Sequence, residues 1–124
     1  MNPILIVDDE AIVRESIRDW LKDSGYQVSV AESGEEALEL IVQHDFSVMI
    51  VDLRLPQMTG IDVLKKVKTI KPGIKSIVIT AYPSMLSQNE ATKLGVIDYL
   101  VKPVFPEKLE ALINETLGKI DIEK

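Results

Sequence analysis

The run ILIVDDE, residues 4–10, drives four apolar residues straight into three carboxylates. Ile4–Val7 shows no alternation with polar residues, and neither does the later run SVMIV at 47–51. A strand with one wet face alternates; one covered on both faces does not, and such strands belong to parallel sheets. Helices must then lie on both sides of these runs, and the chain between them has to supply those helices.

It does so five times. β-branched runs at Ile4–Val7, Tyr26–Val30, Ser47–Val51, Lys75–Thr80 and Ile97–Val101 alternate with segments of helical period around Ile12–Lys22, Glu35–Gln43, Ile61–Thr69, Ser84–Leu94 and Pro106–Leu117. Val13, Ile17, Trp20 and Leu21 fall on one stripe of the first helix, and Leu109, Leu112, Ile113 and Thr116 on one stripe of the last. Ser24-Gly25 and Leu94-Gly95 end helices, Lys71–Gly73 marks a turn, and Ser33-Gly34 and Thr59-Gly60 precede helices. Right-handed crossovers then make an α/β, (βα)5, doubly wound five-stranded parallel sheet of order 2-1-3-4-5 the simplest arrangement. Residues 1–124 read as one domain with a core over about 3–117 and a short fraying tail at 118–124.

The bulk numbers narrow the function. With 124 residues and 46% hydrophobic content the chain can fill one core. A net charge of -6 opposes direct nucleic-acid binding. The absence of cysteine excludes a disulfide scaffold, a thiolate metal site and a Cys nucleophile. No signal-peptide pattern and no membrane-length apolar run are present, so the expected setting is cytoplasmic, with no membrane partner.

Open α/β sheets bind ligands beyond the carboxyl ends of their strands, at the point where winding reverses, here between the first and third strands. Asp8 and Asp9 end the first strand and Asp52 the third. Two carboxylates about 4 Å apart repel by about 4 kcal/mol at an effective dielectric near 20, so a cation or shared protons must offset them. Oxygen donors without His or Cys select a hard dication such as Mg2+. Thr80 ends the fourth strand and Lys102 follows the fifth. A hydroxyl, an ammonium and a dication around one carboxylate suit a trigonal phosphoryl group, with Asp52 as the nucleophile. Each residue alone has a plainer reading: a helix cap for Asp8 or Asp9, a β-branched strand residue for Thr80, a loop charge for Lys102.

VDDE at 7–10, VDLRLPQMTG at 51–60, TAY at 80–82 and DYLVKP at 98–103 together resemble the receiver domain of bacterial two-component response regulators, a flavodoxin-like fold. The wording DLRLP and TAY looks most like receivers of sigma-54-dependent activators. The resemblance implies that a sensor histidine kinase or phosphotransfer protein phosphorylates Asp52 with Mg2+. It makes Asp8 and Asp9 the acidic pair, Asp9 the likelier direct ligand, and the Arg54 backbone carbonyl a further ligand. Thr80 and Lys102 would stabilise the phosphoryl group, Thr80 and Tyr99 would act as the switch, and Lys102-Pro103 would be a cis peptide. The output face would be helix 4, strand 5 and helix 5, meeting an output domain or partner, with a phosphorylation-dependent homodimer as a further expectation. Arg54 and Tyr82 match positions that tune acyl-phosphate lifetime, and their bulk implies slow-to-moderate decay. No enzymatic activity is implied beyond assistance to the chain's own phosphorylation and dephosphorylation.

Other signals have plainer readings. His44 reads as a surface residue, the lysines at 65, 66, 68, 71 and 75 as a solvated helix and turn, and Trp20 as packing. A Mg2+-dependent phosphohydrolase would want a carboxylate where Arg54 stands and a substrate cap. An FMN-binding module would want a phosphate loop where the carboxylates stand.

Overall fold

The computed structural model describes residues 3–118. Strands and helices alternate as β1 (Ile4–Val7), α1 (Ala11–Asp23), β2 (Val28–Ala31), α2 (Gly34–Gln43), β3 (Val48–Asp52), α3 (Gly60–Ile70), β4 (Lys75–Thr80), α4 (Met85–Lys93), β5 (Asp98–Val101) and α5 (Pro106–Thr116). The strands form one parallel sheet in the order β2-β1-β3-β4-β5. The expected doubly wound topology is the one observed.

The unalternating runs explain the layering. Successive side chains of a strand point to opposite faces. Leu5, Val7, Met49, Val51 and Val78 therefore pack beneath α2, α3 and α4, against Ala37, Ile41, Val63, Leu64, Val67 and Ala91. Ile4, Ile6, Val48, Ile50, Ile77 and Ile79 turn the other way, onto Ile17 and Leu21 of α1 and Leu109 and Ile113 of α5. Each fully buried Leu, Ile or Val contributes about 1.5–3 kcal/mol of transfer free energy, so each central strand stabilises two cores at once.

Element ends move by a residue or two from the sequence reading, and the reasons are local. β2 begins at Val28 rather than Tyr26 because the Tyr26 amide donates to the Leu21 carbonyl, closing α1, while the ring is buried on the α1/α5 side. Ser84 is not the first residue of α4 but its N-cap: its hydroxyl accepts the Ser87 amide. Gly25 and Gly95 take φ of 97° and 83° directly after helices, a conformation that a side chain disfavours. Trp20 lies at the rim rather than in the core, 39% exposed, its Nε1 donating to Glu110 Oε1 at 2.7 Å. The inward positions of α1 are Ile17 and Leu21. Of the tail expected at 118–124, all but Gly118 lies outside the described residues.

Candidate functional site

The site follows from strand register. Val7 of β1 stands beside Val51 of β3, so the next residues, Asp8 and Asp52, emerge side by side. Backbone bonds extend the ladder past the strand ends: the Asp8 amide donates to the Ala31 carbonyl at 3.1 Å and the Lys102 amide to the Thr80 carbonyl at 2.8 Å. The pleat decides which side chains meet. Asp8, Asp52 and Lys102 continue the parity of Ile6, Ile50 and Leu100, toward α1 and α5, whereas Thr80 continues that of Val78, toward α4.

Lys102 Nζ lies 3.0 Å from Asp8 Oδ2, 2.8 Å from Asp52 Oδ2 and 2.6 Å from Glu10 Oε1. Asp8 is fully buried and Asp52 3% exposed. The other oxygen of each carboxylate accepts an amide two residues ahead, Asp8 Oδ1 from Glu10 at 2.8 Å and Asp52 Oδ1 from Arg54 at 3.0 Å. Arg14 Nη1 donates to the Asp8 carbonyl at 2.8 Å, tying α1 to the same loop. Behind Asp52, Gly60 opens α3 so closely that a Cβ there would lie 2.4 Å from the Asp52 carbonyl oxygen. Only glycine fits at that position. Thr59 and Asp62 form a reciprocal capping box at the same helix start. The connecting loop turns at Gln57, which holds φ of 67° without being glycine.

Electrostatics at the cluster are out of balance. Carboxylate oxygens of Asp8, Glu10 and Asp52 all lie within 4.8 Å of one another. Three carboxylates against one ammonium leave two negative charges, which one dication would neutralise. Burial lifts the Asp8 carboxyl above the ordinary aspartate range, opposed by the Glu10 amide and Lys102 and assisted by the charge of Asp52. Burial alone would lower the Lys102 ammonium, yet its contacts with Asp52, Glu10 and Asp8 outweigh that and raise it above the ordinary lysine range. Asp8 Oδ2, fully enclosed, meets the Lys102 ammonium as an ion-pair contact at 3.0 Å but accepts no hydrogen bond of good geometry among the described residues. Such an oxygen, with two further carboxylates at hand, is a donor set that fits a hard divalent ion.

The remaining candidates take separate places. Thr80 is buried, its Oγ1 accepting the Tyr82 amide at 3.0 Å. The Arg54 guanidinium stacks on the Tyr82 ring, 4.0 Å from its centroid, joining the loops after β3 and β4. Tyr99 is half-buried against the α2–α4 side; its hydroxyl lies 2.7 Å from Ser87 Oγ and accepts the Ser84 amide at 3.3 Å. The Lys102-Pro103 peptide is cis. Asp9 is exposed and is not among the clustered carboxylates, whereas Glu10 is. The chain bends at residue 9 as the Glu10 amide donates to Asp8 Oδ1, which brings residues 8 and 10 to the same cluster; the third carboxylate in VDDE is the signal that would have found Glu10. His44 is exposed at the end of α2. Lys65 and Lys71 reach Glu90 and Asp45 at 4.0 and 2.8 Å.

A family model described as "Response regulator receiver domain" matches residues 4–114. The chain belongs to the family of response regulator receiver domains. Phosphorylation at an aspartate is the general function of that family. This receiver is 38% identical over 119 residues to transcriptional regulatory protein ZraR of Klebsiella oxytoca, covering 93% of the chain but 26% of that protein. It thus spans about a quarter of the curated relative's length. A CheY-like receiver domain protein from Methanospirillum hungatei JF-1 superposes with a TM-score of 0.93 at 33% identity, covering 100% of this chain and 99% of that one. A response regulator protein from Burkholderia pseudomallei, solved with a phosphorylated aspartic acid, calcium ion and citrate, matches at a TM-score of 0.86 and 27% identity, over 99% of the receiver and 72% of that chain. No helix among the described residues of the receiver is long and apolar enough to cross a membrane.

Proposed function

We propose that Asp52 is the phospho-acceptor and that a sensor histidine kinase or phosphotransfer protein, acting in the cytoplasm, is the donor. The observation that carries this reading is the buried Asp52 carboxylate, gripped by Lys102 at 2.8 Å and flanked by the buried Asp8, whose enclosed oxygen has the same ammonium 3.0 Å away. In the transfer, an Asp52 oxygen forms a bond to phosphorus as the phosphorus–nitrogen bond of a phosphohistidine breaks, its electron pair returning to the imidazole. Lys102 swings from carboxylate to phosphoryl oxygen, and the Thr80 hydroxyl, free to donate while it accepts the Tyr82 amide, turns to another. Asp8, Asp9, Asp52 and the Arg54 carbonyl are the groups that would hold Mg2+, which when bound screens the charge on the transferring oxygens.

Thr80 and Tyr99 are the switch in this reading. The Tyr99 hydroxyl is bonded to the first turn of α4, so a Thr80 drawn toward phosphate changes what that ring packs against. The face around α4, β5 and α5 carries exposed Met85, Leu86, Val101 and Phe105, and is the surface for an output domain, a partner or a second phosphorylated copy. The Arg54–Tyr82 stack hinders the attacking water, giving slow-to-moderate hydrolysis; a half-life of a few seconds would contradict it. Residues 1–124 act as one receiver unit that assists only its own phosphorylation and dephosphorylation.

Incubation with Mg2+ and acetyl phosphate tests the assignment by intact mass. Wild type gains one phosphoryl group and Asp52→Asn gains none; equal gain by both would falsify the acceptor.

A further inference from the structure

Glu10 is the one member of the carboxylate cluster to which the reading above gives no task. Its backbone sits at the N-cap position of α1, extended at φ -90° and ψ 114°, where a shorter acidic side chain would accept an amide of the first turn. The Glu10 side chain makes no such bond. It reaches instead to Lys102 Nζ at 2.6 Å, the shortest of that ammonium's three carboxylate contacts, although it is the exposed partner at 60% against 0% for Asp8 and 4% for Asp52.

The Lys102 ammonium donates hydrogen bonds to Glu10 and Asp52 and makes an ion-pair contact with Asp8 Oδ2 at 3.0 Å. A dication drawn to Asp8 and Asp52 competes for the same oxygens and repels Lys102. The ammonium then needs a negative partner that the ion does not occupy, within reach of the site so that it can return to phosphoryl oxygens. Glu10, 60% exposed at the rim of the cluster and 2.6 Å from the ammonium, is the carboxylate placed for that task.

We infer that Glu10 is a positioning residue, the carboxylate on which Lys102 rests when Asp8 and Asp52 are given over to a divalent cation. The inference rests on the phosphoryl-acceptor reading above and deepens it. Glu10 acts through Lys102 and touches no reacting atom. Its removal makes ion binding harder, because the ammonium is left between the metal and solvent with no counter-charge.

Calorimetric titration with Mg2+ across a double-mutant cycle reads this directly. Glu10→Gln is expected to weaken Mg2+ binding by about tenfold, as loss of a group that orients a metal site does. In a Lys102→Met background the same change is expected to have no further effect. Because Lys102→Met strips the counter-charge from two buried carboxylates, a second readout uses the single variant alone. The Lys102 ammonium signal in nitrogen NMR stays sharp in Mg2+-loaded wild type and broadens into exchange in loaded Glu10→Gln. Unchanged affinity in Glu10→Gln, or an ammonium signal that stays equally sharp, overturns the inference. Equal weakening in both backgrounds also overturns it, since Glu10 would then act on the ion itself. A wild-type protein that binds no Mg2+ removes the parent reading and this inference together, whereas normal wild-type binding with an indifferent Glu10→Gln removes this inference alone.

Discussion

Helices α3 and α4 lie on the same face of the sheet and follow neighbouring strands, yet they are attached in opposite ways. α3 buries Gly60, Ile61, Val63, Leu64 and Val67, and its first residue presses on the carbonyl of Asp52. α4 buries only Ala91, leaves Met85 and Leu86 79% exposed, and is fastened at its start by hydroxyls: Ser84, Ser87 and Tyr99. Elements that move are drawn from the low-stability end of a fold. The contrast teaches that Asp52, the proposed acceptor, ends the strand against which the deeply buried helix packs, while the neighbouring helix is held by one buried alanine and hydroxyl hydrogen bonds at its start.

The sharpest way to break this contrast is Gly60→Ala. A Cβ 2.4 Å from the Asp52 carbonyl forces β3 and α3 apart, and the variant is expected to lose more than about 4 kcal/mol or fail to fold, read by urea denaturation. Next comes Leu64→Ala in α3, expected to cost about 2–5 kcal/mol as a buried leucine does. Ser87→Ala removes the hydroxyl between Tyr99 and the α4 cap, at about 0.5–1.5 kcal/mol, and hydrogen exchange is expected to speed in α4 while α3 is unaffected. Leu86→Ala, on the exposed side of α4, should stay within about 0.5 kcal/mol of wild type. Comparable losses at Leu64 and Leu86 would erase the distinction.

A pH titration locates the same rigidity in the site. The folded Asp8 carboxyl binds its proton more tightly than the unfolded one, whose pKa is near 3.8, so between that value and its raised folded pKa the native state holds more protons. Stability of metal-free protein from this group is therefore gained as pH falls through the folded pKa and lost as pH rises through it. Asp8→Asn is expected to raise the metal-free unfolding midpoint at neutral pH and to flatten this dependence. A variant less stable than wild type there would show that the ion pair with Lys102 outweighs burial.

The sheet, its order and both helical layers were legible because Ile4–Val7 and Val48–Val51 are apolar at every position, a pattern that only two-sided burial requires. Asp8, Asp52 and Lys102 were legible as a group because all three stand at strand ends whose register brings them together. What the chain did not announce depends on geometry just beyond those ends. Whether Asp9 or Glu10 turns inward is set by two backbone angles after β1, and the engagement of Thr80 with the Tyr82 amide is set by a loop with no periodicity to read. Trp20 was misplaced for a related reason: a helical stripe is wide, and its edge residue can bond across to α5 at the surface instead of entering the core.

The most direct test of the central claim is chemical mapping of the phosphorylated residue. Borohydride reduces an aspartyl phosphate to homoserine at the position that carried it, and peptide mass spectrometry reads which position that is. After treatment with Mg2+ and acetyl phosphate, the expected result is homoserine at 52 and at no other aspartate, Asp8 and Asp9 included. Conversion elsewhere with Asp52 intact, or a phosphoryl group on a residue other than an aspartate, would contradict the account.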